Sequence, residues 1–72
     1  MSAPDHTAEE EADGHFAVRV GRHVAGYLIR DHISLRAWRI LKPDRQFMGR
    51  YRDKAAAAAF LAAWFRAEEH DQ

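Results

Sequence analysis

Seventy-two residues without a cysteine make a single domain with no disulfide and no thiolate zinc site to support its core. No stretch approaches the roughly 20 apolar residues of a membrane span. The amino end is acidic where a secretory leader would be basic and then apolar, so the sequence predicts a cytoplasmic protein without a membrane partner.

The formal net charge of zero conceals an uneven distribution. Residues 1–14 carry Asp5, Glu9, Glu10, Glu11 and Asp13 with no Lys or Arg. Residues 15–66 hold all eleven Lys and Arg against Asp31, Asp44 and Asp53, and residues 67–72 add Glu68, Glu69 and Asp71. The central part is therefore strongly basic, which points to an anionic partner or to an acidic tail folding back on a basic surface.

In chain order, residues 1–14 are small, polar and acidic and predict a disordered tail, because they offer too little apolar surface to offset the entropy of ordering. From His15 the period becomes two: Phe16, Val18 and Val20 alternate with Ala17 and Arg19, as in a half-buried strand. Gly21 and Arg22 suit a tight hairpin turn, and Val24 to Arg30 reads as the second strand, with Gly26 marking a bulge or a close approach. Asp31 and His32 form the next turn, and residues 33–41 (ISLRAWRIL) read as a long third strand. Lys42, Pro43, Asp44 and Arg45 then turn the chain into a short fourth strand within residues 46–51.

Asp53 to Arg66 is the helix on which the other elements pack. Alanine dominates it, neither Gly nor Pro interrupts it, and Asp53 is placed to cap its amino end. Phe60, Leu61, Trp64 and Phe65 recur at helical spacing, and the small alanines allow close approach to a sheet. The expected fold is α+β: an antiparallel sheet of three or four strands followed by one C-terminal helix on one sheet face. The domain would span residues 15–68, with residues 69–72 as a short tail.

One helix covers one face of such a sheet and leaves the other open. In the third strand Ile33, Leu35, Ala37, Arg39 and Leu41 form the more apolar set and are assigned to the helix side. Arg36 and Trp38 then join Arg19 and Arg50 on the open face. A strict two-residue turn at Asp31 and His32 favours the opposite register, in which every side chain changes face. Arginines with an aromatic on an open sheet suit nucleic acid, since guanidinium groups fork onto phosphates or guanine edges and a ring stacks on a base. Against this, arginine stems also cover exposed sheet surface without any ligand.

The order of elements, with Gly49, Tyr51 and Asp53 leading into an Ala-rich helix, resembles the three-stranded-sheet-plus-helix DNA-binding domains of phage-type integrases and AP2-type factors. The resemblance spans about residues 16–66. It implies a sheet lying in the major groove with Arg19, Arg36, Trp38 and Arg50 at the contact positions. In the first helical turn this chain has Lys54, Ala55 and Ala56 where that family has a Glu-Ala pair.

Other chemistry finds little support. His6, His15, His23, His32 and His70 lack the tight spacing of zinc ligands, so no metal or other cofactor is expected. Ser34 has no nucleophile elbow around it, and Asp31, Asp44 and Asp53 are accounted for as turn and cap residues. The sequence thus predicts no enzyme but a small nucleic-acid-binding accessory module. The alternative is a protein-interaction module or a homodimer that covers the open face or a free strand edge.

Overall fold

In a computed structural model, residues 6–33 and 36–70 are described, the side chains of residues 69 and 70 excepted. Five strands precede one helix: β1 (Thr7–Ala12), β2 (His15–Val20), β3 (His23–Arg30), β4 (Trp38–Leu41), β5 (Phe47–Tyr51) and α1 (Lys54–His70). The strands form one antiparallel sheet in sequence order, β1-β2-β3-β4-β5, and α1 packs on one face of it. The α+β class and the C-terminal helix are as expected; the strand count is five instead of three or four.

The additional strand is β1, TAEEEA, in the segment whose composition predicts disorder. All six of its residues are exposed, so it gains almost nothing from apolar burial. Two local features hold it. Asp13 and Gly14 form a two-residue connection, with Gly14 at φ 75°, and Ala12 pairs with His15 on the far side. Asp-Gly is a preferred hairpin dipeptide because the tight turn needs positive φ. The turn is tied back to the sheet where the Arg30 N–H donates to the Gly14 carbonyl at 2.9 Å. Glutamates are acceptable here because β1 is an edge, where charge discourages pairing with other chains. Residues 1–5, the rest of the expected tail, lie outside the described residues.

The β2–β3 hairpin turns at Gly21 and Arg22 as expected, with Val20 opposite His23. Gly26 is the anticipated point of close approach. A Cβ built there would lie 2.3 Å from the Leu41 carbonyl oxygen and 2.7 Å from a Leu61 methyl. Its absence lets β3 sit against β4 and the helix at once.

The third expected strand is corrected. Among the described residues of this segment Trp38–Leu41 is the strand, while Ile33 is 93% exposed, Arg36 is exposed in a turn, and residues 34 and 35 lie outside the described set. Asp31 explains the early departure from the sheet. Its Oδ1 accepts the Ile33 N–H at 2.8 Å, and its own N–H donates to the Ala37 carbonyl at 3.1 Å. Within the four residues that remain, the heavier apolar pair decides the register. Trp38 and Ile40 face the helix, and Arg39 and Leu41 face away.

Asp53 caps α1 as expected, its carboxylate accepting the Ala55 and Ala56 N–H groups, each at 3.3 Å. Ala57, Ala58, Leu61 and Ala62 are buried against the sheet, where they meet Val18, Ala25, Leu28, Trp38 and Ile40. The three alanines bring the helix close, and Leu61, fully buried, fills the centre. Trp64 and Phe65 pack at the margin, and Phe60, 38% exposed, lies tilted against Tyr51 with ring centroids 5.4 Å apart.

Candidate functional site

The helix-free face follows from strand register. Since Leu28, Trp38 and Ile40 point to the helix, their neighbours at odd positions point away. Two rows cross the last three strands on this face. Tyr27 pairs with Leu41 and Leu41 with Phe47; Ile29 pairs with Arg39 and Arg39 with Arg50. The first row is apolar and aromatic, the second largely cationic. Alternation along the strands sets the rows side by side.

The arginines are arranged around the rings. The Arg39 and Arg50 guanidinium carbons lie 5.4 and 5.0 Å from the Phe47 ring centroid, and that of Arg45 lies 4.2 Å from the Tyr27 centroid. A guanidinium over a ring face is attracted to the aromatic quadrupole and keeps its own outer face available. Phe47 itself is 47% exposed. Arg45 takes part at a cost in backbone conformation. It closes the β4–β5 hairpin at φ 71°, where glycine is the ordinary occupant, and its N–H donates to the Lys42 carbonyl at 2.8 Å.

Charge on this patch is unbalanced. Asp31 is buried at 3% exposure, and its Oδ2 accepts the Arg50 Nε–H at 2.5 Å. Among the described residues neither Arg39 nor Arg45 forms an ion pair with a carboxylate, and the buried Arg39 Nε has no hydrogen-bond partner. Like charges directly opposed across strands, as Arg39 and Arg50 are, disfavour the sheet unless something anionic intervenes. Further along the same face, Arg19 meets Glu9 of β1 at 3.5 Å, an exposed pair in which the acidic strand neutralises a basic one.

The four residues singled out from the sequence have separate fates. Arg19 and Arg50 lie on the helix-free face as expected. Arg36 is exposed but in the loop, off the sheet. Trp38 is not on the open face: it is 7% exposed beneath the helix, edge-on to Phe16 at 5.6 Å, with Arg30 at 4.7 Å over its ring. Lys54, at the start of α1, lies 3.8 Å from the Phe16 centroid and completes this cover. Tyr27, Arg39, Arg45 and Phe47 were not anticipated as site residues. The turn sequence could have suggested Arg45, because it stands where a three-residue hairpin loop ordinarily has glycine.

A shallow, open cleft between the β1–β2 turn and the end of β3 is lined by Asp13, Gly14, His15, Arg30, Asp31 and His32. Among the described residues no three His or carboxylate groups converge as a metal ion requires. None of the described helices is long and apolar enough to cross a membrane. Comparison with family models, curated proteins and solved structures found no match for this chain.

Proposed function

We propose that this protein is a small non-enzymatic nucleic-acid-binding module whose contact surface is the helix-free face of the sheet. The observation that carries the reading is the cross-strand pair Arg39 and Arg50 sharing the Phe47 ring, with Arg45 nearby and the single carboxylate of Asp31 engaged by Arg50. Phosphate supplies the missing anions. Guanidinium groups bind phosphate through paired N–H donors, and binding releases counterions from the nucleic acid. Arg19 extends the basic surface, while Glu9 limits it towards β1. Arg36, exposed in a turn, is an additional contact in this reading, whereas Trp38 is a core residue beneath the helix.

The test is binding of labelled oligonucleotides to the full chain, followed by anisotropy over a range of salt. With three phosphates neutralised on a single strand, the log–log salt slope should be about −2. Arg39→Ala should weaken binding by about tenfold and flatten the slope by about 0.7, with little loss of stability. A salt-independent affinity, or an Arg39→Ala variant that binds like the parent, would reject the reading.

A second reading has its own observation. Tyr51 and Phe60, in tilted ring contact and each more than one-third exposed, stand at β5, the edge strand that pairs with β4 on one side. A second copy of the chain seated there would make a homodimer. Sedimentation over a concentration series tests it, and a monomer at all concentrations removes it.

A further inference from the structure

We infer that the strand bound by this face is single-stranded nucleic acid, deoxyribose or ribose, and not a duplex. The inference rests on the nucleic-acid reading above and makes it specific. Three features of the face support it.

The first is width. Five strands at about 4.8 Å spacing make a sheet about 19 Å across, whereas the major groove of DNA is about 12 Å wide and admits a helix or a two-stranded ribbon. A three-stranded sheet with this register would enter more readily; β1 and β2 make this one broader than the groove. The second is charge. The added breadth brings acidic β1, with Glu9 on the helix-free face and Glu10 and Glu11 beside it, towards the phosphates of any duplex laid over the whole sheet. A single strand running over β3, β4 and β5 meets the arginine row and avoids the glutamates.

The third is the presence of stacking surfaces. Tyr27 and Phe47 stand two strands apart in one row with Leu41 between them. The Phe47 ring is half exposed, and the Arg45 guanidinium over Tyr27 offers a plane for the next ring. Unpaired bases stack on aromatic rings and on guanidinium planes, while paired bases in a duplex keep their faces covered. In this arrangement one base packs on Phe47, another on the Arg45–Tyr27 stack, and Arg39 and Arg50 hold the intervening backbone. Arg45 makes this contact from the positive-φ position of the hairpin.

The experiment titrates the full chain into labelled oligo-dT, oligo-U and a mixed-sequence duplex of the same length, at low and moderate salt. Both single strands should bind at least about tenfold more tightly than the duplex, as stacking of one or two bases provides. Phe47→Ala should lower single-strand affinity by about tenfold and leave duplex affinity unchanged. Arg45→Gly should do the same while the melting temperature holds or rises, because glycine suits the positive φ. That separation distinguishes a ligand contact from a structural role. Duplex binding as tight as single-strand binding, with Phe47→Ala and Arg45→Gly inert, would overturn the inference and leave the broader reading in place. Failure of all three probes to bind at low salt would overturn both.

Discussion

The two faces of this sheet are built from alternate residues of the same strands, yet they solve different physical problems. Towards the helix, Val18, Leu28, Trp38 and Ile40 meet alanines and Leu61, so the surfaces approach closely and nearly every contact is apolar. Away from it, arginines lie over Tyr27 and Phe47, and among the described residues the ion pair at that end is the one between Arg50 and the buried Asp31 carboxylate. Neighbours in sequence thus serve opposite purposes: Ile40 is fully buried, whereas Arg39 beside it carries a buried Nε with no hydrogen-bond partner. The lesson is that a strand of four residues can contribute to an apolar core on one side and a cationic face on the other, provided that its register is fixed.

That contrast can be broken from the covered side first. Leu61→Ala removes the side chain at the centre of the packed face and should cost about 2–5 kcal/mol of stability, measured by urea denaturation. Gly26→Ala should cost about 3 kcal/mol, since the new methyl group collides with the Leu41 carbonyl and Leu61. In a domain this small either change leaves little folded protein. From the open side, Arg39→Ala should move binding and not folding, with an affinity loss of about tenfold and a denaturation midpoint close to the parent's. The smallest effect belongs to the helix cap. Asp53→Ala should destabilise by about 1 kcal/mol and leave the affinity of the remaining folded protein unchanged.

Much of the covered face is legible in the sequence because it follows periodic rules. Phe16, Val18 and Val20 announce β2, the Gly21–Arg22 turn announces the first long hairpin, and Asp53 with its alanines announces α1. The acidic strand β1 is not legible from composition, because the hairpin dipeptide Asp13–Gly14 and a neighbouring strand hold it in place without apolar burial. The open face is harder for a related reason. Residues 33–36 alternate apolar and polar ahead of the mixed run from Ala37 to Leu41, and counting Ile33 and Leu35 as strand reverses the weight of the two sides. A single backbone-to-carboxylate bond at Asp31 takes Ile33 out of the strand, and with it Trp38 exchanges places with Arg39. Arg19 and Arg50 remain on the open side under this correction, whereas Arg45 joins through a turn conformation that strand alternation does not encode.

Backbone amide chemical shifts during titration with a single-stranded oligonucleotide test the division of the faces most directly. The largest changes should fall on Tyr27, Arg39, Arg45, Phe47 and Arg50, while Ala57, Leu61 and Ala62 of the helix stay fixed. Changes concentrated on the helix or on β1, with the arginine row unmoved, would contradict it.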